Sequence, residues 1–180
     1  MAMLMSSVTV LGEVIRQQEE ERKYIEAIAK KIGGKKDSNY INAQHVIIAL
    51  HLEVDKLITE FIGILLDYGV ENFKDKKFIY DSITDEAVAK LPVGSRLNII
   101  TALRYFTADS MRFMTELNRI RNSFAHPKQE KKGQFEYHNK SVFTKQGIDL
   151  IMADYDVFNK EMVAFINKFI QYLKLEKDKQ

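Results

Sequence analysis

Leu117-Asn118-Arg119-Ile120-Arg121-Asn122-Ser123-Phe124-Ala125-His126-Pro127 reads as the end of an amphipathic helix that a proline must close. At about 100° per residue, Phe113, Leu117, Ile120 and Phe124 fall on one side of that helix, the spacing of a buried stripe. Arg119, Asn122, Ser123 and His126 follow one another at i, i+3, i+4 and i+7 and make a polar row opposite it. Arg121 stands off that row, about 140° from His126 on an ideal helix. The two cooperate only if the long arginine arm reaches round or the last turn unwinds. Unwinding is expected, because the residue before a proline is pushed out of the helical region, so the helix should end at about Ala125.

The rest of the chain is built of similar stripes. A first helix is expected from about Ser7 to Ile32, with Leu11, Ile15, Ile25, Ile28 and Ile32 at helical spacing, a polar solvent-facing middle from Gln17 to Lys23, and Gly33-Gly34 as its stop. A second opens with Asn42 as N-cap and carries Val54, Leu57, Ile58, Phe61, Leu65 and Tyr68 before Gly69 ends it. Residues 71–81 are charged and irregular, and Thr84 or Asp85 caps a short helix ending near Leu91-Pro92. Gly94-Ser95 then turns into a helix that buries Leu97, Ile100, Leu103 and Phe106, and Asp109 caps the motif helix, unless the two run on as one.

After Pro127, residues 134–137 and 141–144 bracket Asn139-Lys140 as a small hairpin or belong to a long loop. The last helix runs from about Asp154 to Leu175 with Phe158, Met162, Phe165, Phe169 and Leu173 on one face, and a polar tail begins at about residue 174. The fold class that follows is all-α, an antiparallel bundle of about five to six helices in a single domain spanning residues 1–180.

Composition narrows the functions open to it. A chain of 180 residues, 46% of them hydrophobic, fills a core without staples, and with no cysteine it has neither disulfides nor thiolate metal sites, which suits a reducing, cytoplasmic setting. The apolar opening Met1-Ala2-Met3-Leu4-Met5 has no basic leader, and the Leu57–Leu66 run is interrupted by Glu60, well short of the roughly 20 residues a membrane span needs. Secretion and membrane insertion are therefore not expected. The net charge of +2 is close to balance, so attraction for a polyanion must be local. It concentrates after the motif, where Arg119, Arg121, Lys128, Lys131 and Lys132 meet a single acid, Glu130. A solvated loop following a helix is the other reading of the same charges.

No phosphate-binding P-loop, nucleophile elbow or dinucleotide-binding glycine fingerprint occurs. His45, His51, Glu53 and Asp55 are close in sequence, but the two histidines are six residues apart and do not stack on one helical face as a ligand pair, so no metal site is expected. The motif remains. His126 is its one side chain that ionises near neutral pH, whereas arginine stabilises charge but does not accept protons.

Arg121-Asn122-Ser123-Phe124-Ala125-His126 resembles the R-x4-6-H motif of the HEPN superfamily, with a polar residue directly after the arginine, and its wording is most similar to the mannitol operon repressor branch. The resemblance implies a helical bundle that forms a homodimer with its motifs facing each other. It also implies a metal-independent, cofactor-free endoribonuclease of toxin, defence or RNA-processing type, with RNA as substrate and an inhibitory partner protein as regulator. On that reading Arg121, Asn122 and His126 are catalytic, while Arg119, Ser123, Lys128, Lys131 and Lys132 hold the RNA, and Tyr137 or Phe135 is a candidate for stacking a base. Other members of the superfamily are non-catalytic regulatory or binding modules, which is the alternative.

Overall fold

Helical periodicity dominates the structure. A computed structural model describes residues 2–33, 36–69, 87–126 and 133–177, with side chains over 16–33, 39–66, 87–126 and 133–171. Among the described residues there are five helices and one two-stranded hairpin, an all-α architecture. No helix among them is long and apolar enough to cross a membrane. By internal contacts the chain divides into two units, Met1–Val46 with Phe135–Gln180, and Ile47–Gln134.

In the first unit, helix α1 (Ala2–Ala29) packs against the last helix, α5 (Lys145–Lys177). Helix α1 starts ahead of the expected Ser7 and ends at Ala29, short of the expected Ile32, so Ile25 and Ile28 are buried on its stripe while Ile32 is buried from the turn that follows. Leu11 and Ile15 lie outside the described side chains. The polar middle is exposed except for Gln18, which is 3% exposed, and the half-buried Arg22. Gln18 stands two turns before Ile25 in the same row, so the register of the apolar stripe carries it inward. Arg22 bridges the pair of helices, 3.1 Å from Asp156 and 3.2 Å from Glu26.

Helix α5 begins at Lys145, well before Asp154, because Ile148, Ile151, Tyr155, Phe158, Met162 and Phe165 continue one buried stripe at alternating three- and four-residue steps. Phe169 is half-buried, Leu173 lies outside the described side chains, and the helix continues to Lys177, through the first part of the expected tail.

Strands β1 (Glu136–Tyr137) and β2 (Lys140–Ser141) pair antiparallel, Glu136 with Ser141 and Tyr137 with Lys140. The turn falls on His138 and Asn139, one residue earlier than Asn139-Lys140. Their φ values of 48° and 60° give the left-handed pair that a two-residue hairpin needs. Tyr137 is 1% exposed and donates its hydroxyl to Asp154 Oδ2 at 2.5 Å, so this ring is core and is not available to stack a base. Phe135 packs against Phe143 at 5.2 Å.

Helix α2 (Lys36–Gly69) starts before Asn42, which lies inside it and caps nothing, and its portion from Ile47 onward belongs to the second unit. Val54, Leu57, Ile58 and Phe61 are buried, Leu65 is half-buried, and Tyr68 falls outside the described side chains. The cap expected at Thr84 or Asp85 also lies outside the described residues. Helix α3 (Val93–Leu103) has Pro92 at its N-cap, with no side-chain cap, so Gly94 and Ser95 form its first turn instead of preceding it. Leu97 and Ile100 are buried, but Leu103 is 46% exposed because the chain leaves the helix at Arg104, in the left-handed region at φ 52°. That break separates α3 from the motif helix and lets Phe106 reach the core from the loop, 5.0 Å from Phe61.

Candidate functional site

The motif helix, α4 (Ala108–Ala125), takes its position from its buried stripe. Phe113, Met114, Leu117, Ile120 and Phe124 are all less than a tenth exposed, each burial contributing about 1.5–3 kcal/mol. Thr107, not Asp109, is the N-cap: its hydroxyl accepts from the Ser110 amide at 3.3 Å, and Asp109 sits in the first turn, where it pairs with Arg112 at 2.9 Å. The helix ends at Ala125 as the proline dictates, and His126, with φ −128° and ψ 62°, is the C-cap.

At that end, Asn122 is held from two directions. Arg121 Nη1 donates to its Oδ1 at 3.1 Å, and the His126 amide donates to its backbone carbonyl at 3.0 Å. Arg121, Asn122 and His126 are all exposed. The helix end thus carries the Arg121 guanidinium on the Asn122 side chain and the His126 backbone on the Asn122 carbonyl, with all three residues exposed. Ser123 is half-buried, and its hydroxyl donates to the Arg119 carbonyl at 3.1 Å.

Arg119 does a different job from Arg121. Its Nε and Nη2 donate to Glu116 Oε2 at 3.0 and 2.7 Å, and its Nη1 donates to the carbonyls of Gly133 and Gln134 at 3.1 and 3.0 Å. The guanidinium therefore clamps the returning chain to the motif helix. Lys128, Lys131 and Lys132 lie outside the described residues.

A histidine that the motif does not contain also reaches this helix. His51, on α2 and 7% exposed, has Nε2 3.2 Å from Asn118 Oδ1. A carbonyl oxygen only accepts, so Nε2 carries the proton and the neutral ring keeps its lone pair on Nδ1. Burial, and the nearby charges of Arg121 and Arg96, hold this imidazole below its ordinary pKa against the opposing pull of Asn118 and Asp55. Asn118 is three residues before Arg121 and four before Asn122, so all three share one side of α4.

His51 and Asn118 also line a recess with Asp55, Ile58 and Met114 that is too small for anything beyond about one water molecule. The other members of the His–Glu–Asp cluster have separate environments. Asp55 pairs with Arg96, Glu53 is buried, His45 is exposed, and among the described residues no three such side chains converge on a metal-sized point. The sequence signal for His51 was only its presence in that cluster; nothing local pointed it at Asn118.

No family model matches this chain, and neither the curated proteins nor the solved structures yield a match.

Proposed function

We propose that the chain is a metal-independent endoribonuclease of the HEPN type, in a toxin, defence or RNA-processing role, working as a homodimer on single-stranded RNA. The observation that carries this reading is the exposed Arg121–Asn122–His126 end of α4, where the Arg121 guanidinium bonds the Asn122 side chain and the His126 backbone caps the helix on the Asn122 carbonyl. Cleavage then proceeds by attack of the RNA 2′-oxygen on the adjacent phosphorus. One imidazole removes the 2′-hydroxyl proton, a second protonates the departing 5′-oxygen, and the products are a 2′,3′-cyclic phosphate and a 5′-hydroxyl.

One motif holds one such imidazole, so the two proton transfers call for the His126 of each of two subunits across a symmetric groove. Arg121 stabilises the charge that builds on the phosphate, and Asn122 keeps that guanidinium in place. Because Arg119 is committed to Glu116 and two carbonyls, phosphate contact falls mainly to Arg121 and to Lys128, Lys131 and Lys132. A regulator fits as a protein that covers this basic helix end.

The test is cleavage of single-stranded RNA in excess EDTA by wild type, His126→Ala, Arg121→Ala and Arg119→Ala, with product ends identified and the oligomeric state followed by light scattering. Loss of cyclic-phosphate formation in His126→Ala, and weakened RNA binding in Arg121→Ala but much less in Arg119→Ala, is the expected pattern. Equal cleavage by wild type and His126→Ala removes the histidine from the chemistry. Salt-sensitive RNA binding without turnover assigns the chain to the non-catalytic binding modules instead, and a monomer at micromolar concentration removes the composite site.

A further inference from the structure

Resting on that reading of the helix end, we propose that His51 is a positioning residue for the motif: through its hydrogen bond to Asn118 it fixes the side of α4 from which Arg121 and Asn122 reach the RNA. Asn118 is one turn before both of them, so its side chain sets how the preceding turn is braced. An asparagine on a half-buried helical surface has several rotamers open to it. The imidazole of His51, 7% exposed on a separate helix, selects one.

The charges around the ring define a second consequence. The Asn118 that His51 touches is one turn before Arg121, and, beyond burial of the ring, the charges of Arg121 and Arg96 oppose its protonation while Asp55 favours it. A phosphate bound at Arg121 screens one of those cations and makes the imidazolium easier to form. Binding of RNA is therefore coupled to proton uptake by His51, and protonation adds positive charge behind Arg121 while Nε2 continues to donate to Asn118. A residue that only filled space in the core would show neither effect.

The experiment measures binding of a single-stranded RNA oligonucleotide by fluorescence anisotropy, and its cleavage, from pH 5 to pH 8 for wild type, His51→Ala and His51→Gln. His51→Ala removes the donor to Asn118 and is expected to weaken binding by about tenfold at neutral pH. His51→Gln restores an N–H donor without a titrating group, so it recovers most of that loss while its affinity gains less on acidification than wild type does. In parallel, the His51 imidazole is titrated by NMR in wild type and in Arg121→Ala, where loss of the neighbouring cation is expected to raise its midpoint.

Wild-type binding and pH dependence in both His51 variants, or an unchanged midpoint in Arg121→Ala, overturns the proposal. RNA bound but not cleaved by wild type sinks the nuclease alone, because the binding and NMR arms still decide the role of His51. RNA not bound at all leaves the decision to the midpoint in Arg121→Ala, which requires no RNA.

Discussion

Arg96 and Asp55 form an ion pair across α3 and α2, with Nη2 2.6 Å from Oδ1 and 2.7 Å from Oδ2. The arginine side chain is 6% exposed and the carboxylate 23%. The other guanidinium nitrogen, Nη1, donates to the carbonyls of Val88 and Ala89 at 3.2 and 3.1 Å. One side chain thus joins three segments, and its charge adds to the burial and the Arg121 charge that hold the His51 imidazole below its ordinary pKa.

Replacing Arg96 leaves a largely buried carboxylate and two carbonyls without their donor. Arg96→Ala is expected to lose about 3–5 kcal/mol of stability, since breaking one side of a buried pair strands the other. Urea unfolding of the variant and wild type measures it. A loss below about 1 kcal/mol would place the pair among solvent-screened surface bridges.

The buried imidazole makes stability depend on pH in a defined direction. The folded form of His51 binds its proton less readily than the unfolded chain does. Stability is therefore complete above the ordinary histidine midpoint of about 6.5, falls as the pH drops through it, and levels off below the folded midpoint. Thermal unfolding followed by circular dichroism at pH 7.5 and pH 5.5 is expected to show a drop in Tm that is smaller in His51→Gln. An identical drop in the two proteins would assign the acid sensitivity to other groups.

Gly147, in the first turn of α5, lies tight against the hairpin. A Cβ at this position meets the Ser141 carbonyl oxygen at 2.1 Å and its carbon at 2.8 Å, both backbone atoms. Gly147→Ala is expected to cost about 1–3 kcal/mol through overpacking, against the usual gain of alanine over glycine within a helix. A chemical-denaturation curve with an unchanged or higher midpoint would show that the hairpin shifts freely away from the helix.

Much of this architecture was legible in the chain. The stripe of Phe113, Leu117, Ile120 and Phe124 appears in the structure as read, and Pro127 ended the helix at Ala125 because the clash with a proline ring is a property of neighbouring residues. Boundaries were less legible. Helix α5 runs back to Lys145 along a stripe that extends ahead of its most aromatic part, and Leu103 lies on the surface because Arg104 adopts a backbone conformation that its side chain does not announce.

At the candidate site the same division holds. Asn122 and His126 could be put on one polar face from spacing, and His126 at the helix end from the proline, whereas Arg121 stood off that face and joined them only through the motif resemblance. Which arginine stays available was decided by the carbonyls of Gly133 and Gln134, acceptors that every residue possesses and that therefore leave no mark in composition. His51 and Asn118 are 67 residues apart in the chain. Periodicity acts over one or two turns and is written in order along the sequence, whereas the choice of hydrogen-bond partner waits until packing has brought distant turns within about 3 Å of each other.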